Sequence, residues 1–262
     1  FTSGNTAVTK LAVSNSGQAV TFTDIGGIDL GSVDGVTGIT ATTFNLTTSG
    51  AITNSVASTI SGVTTLVAGA GNDITLDNAS NAFGTVLVTS GKDVVLVDTD
   101  AITLGASTIS GTLDVTAGGI LTIGGAVGAT GGATTLTANA MAIGAALDGT
   151  GQIVTLKPAD SSTAINLGTG TGALDLTNTE IDYITATTLR IGADDASTGA
   201  ITVSSDITPA NTATLHLRTP STITGTDGGI IETNLALTAG DLVNFTSGNT
   251  AVTKLAVSNS GQ

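Results

Sequence analysis

Few residues in this chain have the types or the spacing that chemistry needs. "GAGNDITLD", Gly69 to Asp77, is similar to the calcium word GGxGxDxUx, in which a turn carboxylate and backbone carbonyls on successive coils surround Ca²⁺. That arrangement works through tandem turns and no adjacent copy follows, so Asp73 reads as an ordinary acidic turn. The one histidine, His216, lies in "TLHLRTP", where strand alternation points it away from the side of Leu215 and Leu217. With no cysteine and no second histidine, a Cys/His metal site cannot be assembled, and a Ser triad would depend on this single ring. Asp194 and Asp195 adjoin in "ADDAS", yet neighbours on a strand point oppositely, whereas glycoside hydrolysis needs two carboxylates flanking one bond. Tyr183, the only tyrosine, offers a ring for stacking on a sugar, but "IDYIT" also reads as a strand whose Tyr caps a hydrophobic edge. "GTGTGALD", Gly168 to Asp175, has G-x-G spacing without the helix or lysine of a phosphate loop, and reads as a turn. Three N-x-S/T sequons, at Asn45, Asn78 and Asn244, are what chance gives in so Thr-rich a chain. The expectation is therefore no catalytic, cofactor-binding or metal-binding residue, no cofactor, and no enzyme.

Composition says what must hold such a chain together. It is 40% hydrophobic but only 2% aromatic, and it contains 36 Gly, so whatever core it buries is built of small and medium side chains. Thr is about a fifth of the residues, and branching at Cβ in Thr, Val and Ile favours extended backbone, which disfavours helix almost everywhere. The formal net charge of −14 opposes the basic surface that nucleic acid requires, and gives solubility and self-repulsion instead. Val115 to Ala146 carries no charge, but Gly and Thr interrupt it too often for a spanning helix of about 20 apolar residues, and a run of small-residue strands is expected there.

Short extended runs recur between Gly, Asn, Asp and Ser turns: Val20–Thr23, Thr43–Thr47, Val63–Val67, Val86–Thr89, Val94–Val97, Leu113–Thr116, Thr134–Thr137, Ile153–Leu156, Leu174–Thr177, Thr188–Ile191, Ile201–Ser204, Thr214–Leu217 and Asn234–Thr238. Several alternate apolar with polar, as in "TLDVTAG" and "ALDLTN", the period of a strand with one buried face. Many start about twenty to twenty-five residues apart, the length of one solenoid coil rather than of a hairpin. "ASTISG" at Ala57–Gly62 returns at Ala106–Gly111, and "SGAITNS" at Ser49–Ser55 has its echo in "TGAITVS" at Thr198–Ser204, which reads as stacked rungs. A parallel β-helix satisfies all of this: its core is a narrow column that aliphatics fill, and its corners suit Gly and Asn. The expected fold is all-β, a right-handed parallel β-helix, or β-solenoid, of roughly 11–12 rungs.

Two stretches carry a resemblance. "NDITLDNASNAFGTVLVTSGKDVVLVDTDAITLGASTISGTLDVTAGG", Asn72–Gly119, and "LDLTNTEIDYITATTLRIGADDASTGAITVSSDITPANTATLHL", Leu174–Leu217, resemble repeats of bacterial filamentous-haemagglutinin-like giant adhesins. The resemblance implies a right-handed parallel β-helix, secretion to the cell surface, usually by two-partner export, and a role in attachment, aggregation or biofilm structure. It implies as partners adjacent copies of the same repeat, with other filaments, surface polysaccharide or cells as further candidates, and neither nucleic acid nor a membrane-spanning segment.

The chain opens with "FTSGNTAVTKLAVSNSGQ" and closes with the same eighteen letters. Residues 1–244 are accordingly read as one β-solenoid unit and 245–262 as the start of the next identical repeat, in a window cut from a longer polypeptide. At ~4.8 Å per rung such a unit rises roughly 5–6 nm. The alternatives are a fibre of separate subunits stacked non-covalently, a polysaccharide-binding or polysaccharide-cleaving β-helix, and a Thr-rich ice-binding solenoid.

Overall fold

The computed structural model describes residues 8–168, 173–246 and 249–260. Residues 1–7, 247–248 and 261–262 of the two eighteen-letter copies, and 169–172 of the Gly-rich turn "GTGTGALD", lie outside the described residues. The chain divides into two compact units, Phe1–Gly132 and Ala133–Gln262.

In the first unit one ladder runs through Lys10–Leu11, Ile28–Leu30, Ile52–Asn54, Ile74–Leu76, Val94–Asp98 and Leu113–Ala117. A second runs through Val13–Thr23, Ile39–Thr47, Thr59–Val67, Ala82–Ser90, Ile102–Leu104 and Ile120–Ile123. Ser107–Ile109 pairs with Val127–Ala129 on a third side. The second unit has a ladder of Thr134–Thr137, Leu147–Lys157, Ile184–Gly192, Leu215–Thr219, Ile231–Ala239 and Ala251–Asn259. Against it stands Leu174–Leu176, Thr163–Leu167, Thr198–Val203, Ile223–Gly225 and Val243–Phe245, in that spatial order. Among the described residues pairing is parallel, apart from the hairpin of Ser32–Val33 with Val36–Thr37. Each unit is a β-solenoid of six turns, in line with the eleven or twelve rungs expected.

The register shows how much chain each turn takes. Ile74 faces Val94 and Val94 faces Leu113, short turns of nearly equal length, while Ile28 to Ile52 is a slightly longer one. In the second unit Leu215, Leu235 and Leu255 follow one another at even spacing, but Leu147 to Ile184 takes nearly twice as much chain, the excess including the buried strand Leu174–Leu176 and the segment Asn178–Asp182. Because side chains alternate sides every residue, this pairing stacks like on like. Ile28, Ile52, Ile74, Val94 and Leu113 form one buried column, and Leu76, Leu96 and Val115 form the next. Phe22, Leu46, Leu66 and Val88 line the opposite wall. Each such side chain contributes about 1.5–3 kcal/mol by leaving water.

One core position breaks the pattern. Thr64 is wholly buried between Phe44 and Val86, and its hydroxyl has no hydrogen-bond partner. A buried unpaired hydroxyl costs about 1–3 kcal/mol, and Thr and Val have nearly the same shape. Thr64→Val is expected to stabilise the protein by about 1 kcal/mol, read as a rise in the urea midpoint at unchanged m-value.

Glycine is required where turns touch. Gly38 has φ +63°, and a methyl group there would run into the Ala57 carbonyl oxygen of the following turn. It closes the base of the Ser32–Thr37 hairpin, with Gly38 N–H donating to the Gly31 carbonyl at 2.8 Å.

Two expectations need correction. "IDYIT" is not a continuous strand: Asn178–Asp182 is a short α-helix and Tyr183 is its C-cap, after which the strand Ile184–Gly192 begins. Thr177 caps the helix, its hydroxyl accepting from Glu180 N–H while the Glu180 carboxylate accepts from Thr177 N–H. This capping box offsets the weak helix propensity of "NTEID". The repeated "ASTISG" words, in turn, do not stack on one side. "VTTLVAG" after the first lies in Thr59–Val67 of the second ladder, and "TLDVTAG" after the second lies in Leu113–Ala117 of the first ladder. Both sheets face the same column, so both select the same alternation. The serines still act alike, Ser58 Oγ accepting from Ile39 N–H at 3.2 Å and Ser107 Oγ from Val88 N–H at 3.0 Å.

Candidate assembly surface

Polar side chains in this chain are first of all turn-to-turn connectors. At one corner of the first unit Asn81, fully buried, donates to the carbonyls of Leu76 and Val97 at 3.2 and 3.3 Å. Its own oxygen accepts from Asn54 Nδ2 at 2.8 Å and from Ser58 N–H at 3.0 Å. One amide thus joins three successive turns. Asp98 continues the corner, accepting from Phe83 N–H at 2.6 Å and Asp100 N–H at 2.8 Å. Burial pushes its carboxyl above the ordinary carboxylate range, and those two N–H groups oppose the rise.

The acidic turns do the same work at the surface. Asp73 is exposed, receives Asp93 N–H at 3.3 Å and lies 3.5 Å from Lys92 Nζ. Asp93 is held down to about 2 by Lys92 at 2.6 Å, then by Thr112 N–H at 2.8 Å and Thr112 hydroxyl at 3.0 Å. Among the described residues no group of three or more His, Asp or Glu is placed to hold a metal ion. No helix among them is long and apolar enough to cross a membrane, and Val115–Ala146 folds as short strands.

His216 points outward between the buried Leu215 and Leu217, as its alternation requires, with Nε2 3.0 Å from the Thr238 hydroxyl. Partial burial and then the charges of Arg218 and Arg190 hold its ring below the ordinary imidazole value, so it is neutral at neutral pH. Asp194 and Asp195 do not form a carboxylate pair: Asp194 is bound by Arg218, whereas Asp195 accepts from Ser197 and lies 3.6 Å from Lys157. Tyr183 is exposed beside the helix.

A grouping that sequence reasoning missed emerges here. Thr155, Arg190 and His216 are consecutive partners across one sheet, and Lys157 and Arg218 flank them, so half of the chain's six Lys and Arg gather on one outer face. Arg190 Nε is buried with no hydrogen-bond partner. The turn from Arg190 to His216 is longer than the prevailing rung, and no periodicity in the sequence revealed the pairing.

Among the described residues, apolar side chains that continue the buried columns are accessible at the outermost strands of the ladders. Leu11, Val13, Val20 and Phe22 line a groove on the preceding side of the first described turn. Leu255 and Val257, whose partners Leu235 and Leu237 are buried, are themselves 57% and 52% exposed on the following side of Ala251–Asn259. A sheet edge of this kind presents unpaired N–H and C=O groups beside apolar side chains, a template for another strand.

Parallel ladders stacked turn upon turn around an aliphatic column make this a β-solenoid repeat protein. The chain belongs to a family described as repeats of unknown function (DUF5649), matched over residues 17–90 and again over 91–157, together more than half its length. No curated protein and no solved structure matches it.

Proposed function

We propose that the chain is a structural repeat of an extracellular filamentous adhesin or surface fibre, stacking end to end with adjacent copies in the same chain or a neighbouring subunit, and that it does no chemistry. The observation that carries the stacking is the open core, with Leu255 and Val257 exposed on one edge and the groove of Leu11, Val13, Val20 and Phe22 on another. Family membership as a repeat and the parallel ladders support the same reading. Attachment, aggregation or biofilm scaffolding, and a cell-surface location, rest on the resemblance of Asn72–Gly119 and Leu174–Leu217 to filamentous-haemagglutinin-like repeats. Chains carrying one, two and three copies of the unit 1–244, imaged by atomic force microscopy, are expected to lengthen by roughly 5–6 nm per added unit. Lengths that do not grow with unit number would overturn the stacking.

A further inference from the structure

The eighteen-letter segment occurs twice, and the described residues of the two copies pair on opposite sides. In the first, Lys10 and Leu11 are followed by Asp29 and Leu30, and Val13, Ser14 and Asn15 by Ile39, Thr40 and Ala41. Asp29 N–H donates to the Thr9 carbonyl and Gly31 N–H to the Leu11 carbonyl, each at 3.0 Å, and Val13 N–H donates to the Gly38 carbonyl at 2.8 Å. The Ser32–Thr37 hairpin is looped out between Gly31 and Gly38, so Lys10–Leu11 and the strand that begins at Val13, one residue apart, meet both halves of the following turn. Side chains fasten the same seam. Lys10 Nζ lies 3.2 Å from Asp29, and Asp24 accepts Val8 N–H at 2.8 Å. In the second copy the preceding side is the covered one. Lys254, Leu255, Val257 and Asn259 stand at the positions of Lys10, Leu11, Val13 and Asn15, and they face Asn234, Leu235, Leu237 and Ala239.

From these two half-covered copies we infer a specific junction between repeats: the following side of Lys254–Asn259 is occupied by Asp24–Ala41 of another copy of this repeat, in the register that the first copy displays. This rests on the stacking reading and names its partner. The stacked columns are then Leu235–Leu255–Leu30 and Leu237–Val257–Ile39, apolar throughout, and Asn234–Lys254–Asp29 on the outer face, where the lysine meets its carboxylate. Parity is kept: Leu11 and Val13 line the apolar groove, and Leu255 and Val257 continue the columns of buried Leu235 and Leu237, so these positions keep their face when both sides are filled. Thr9, Leu11 and Val13 make the seam's backbone hydrogen bonds, and Thr253, Leu255 and Val257 stand at the same positions of the second copy.

The test extends the full chain after Gln262 by a second copy of residues 19–48. The amide of Val257 is expected to exchange with deuterium at least about tenfold more slowly than in the unextended chain, as a ladder donor does. Register is read with thiols, since the chain has no cysteine of its own. Ser258→Cys is combined either with Thr40→Cys of the appended copy, its partner by the Ser14–Thr40 pairing, or with Thr42→Cys two positions further on. Directly opposed Cα atoms are within disulfide reach, whereas an offset of two positions exceeds about 7 Å. A disulfide with position 40 and none with position 42 supports the junction. Slowed exchange with the opposite pattern, or with neither disulfide, overturns this register and leaves stacking intact. Unchanged exchange throughout residues 251–259 overturns both.

Discussion

Leu96→Ala is expected to destabilise the first unit by about 2–5 kcal/mol, whereas Val95→Ala, at the adjacent position, changes stability by less than about 1 kcal/mol. Leu96 is wholly buried between Leu76 and Val115 in the central column, while Val95 faces outward between Thr75 and Asp114. Ladder hydrogen bonds hold the backbone of each turn in place, so neighbouring side chains cannot close readily over the missing methyl groups. The loss is therefore the transfer energy of Leu plus a cavity. Urea unfolding of the two variants measures the contrast. Equal effects would mean that Val94–Asp98 does not present alternate faces. A solenoid's stability is summed from neighbouring turns, so the loss should be greatest in hydrogen exchange of the turns that touch Leu96.

The second large effect is expected at Asn81. Asn81→Leu keeps the volume but removes both donors and the acceptor. It strands the Leu76 and Val97 carbonyls, the Ser58 N–H and the Asn54 amide in a corner closed to water. An unpaired buried group costs about 1–3 kcal/mol, and several are created at once, so a loss of about 3 kcal/mol or more is expected. Asn78→Leu, in the more accessible part of the same loop, serves as the comparison and should cost less than about 1 kcal/mol. Thermal unfolding distinguishes them. Similar melting temperatures for the two variants would show that Asn81 does not join the turns.

The fold was legible in the sequence where alternation ran long enough to be seen. "TLDVTAG" places Leu113, Val115 and Ala117 inside and Asp114 and Thr116 outside, and the structure agrees. Strands such as Ile28–Leu30, Ile52–Asn54 and Ile102–Leu104 escaped notice, because so short a strand holds barely more than one period and isolated "ITL" or "IDL" words also suit a turn. The helix at Asn178–Asp182 was hidden by its poor helix formers, although "TNTE" carried the spacing of a capping box. Asp73 receives Asp93 N–H, His216 meets the Thr238 hydroxyl, Asp194 is bound by Arg218 and Asp195 accepts from Ser197, partners that lie on other turns or in the same loop and that strand alternation does not reveal.

Sequence alone determined what local chemistry dictates: extended backbone from branched side chains, a core of aliphatics rather than rings, a turn of about twenty residues, and a segment that returns unchanged. Tertiary structure decided what depends on register. Residues meet across turns according to how much chain runs between them, and nearly twice as much runs between Leu147 and Ile184 as between Val94 and Leu113. That length is absorbed by a hairpin at Ser32–Thr37 and by an added strand and helix at Leu174–Asp182, without altering the alternation on which sequence reasoning rests. Register therefore brought Arg190 to His216, set Asn81 among three turns, and gave the two copies of one segment opposite covered sides.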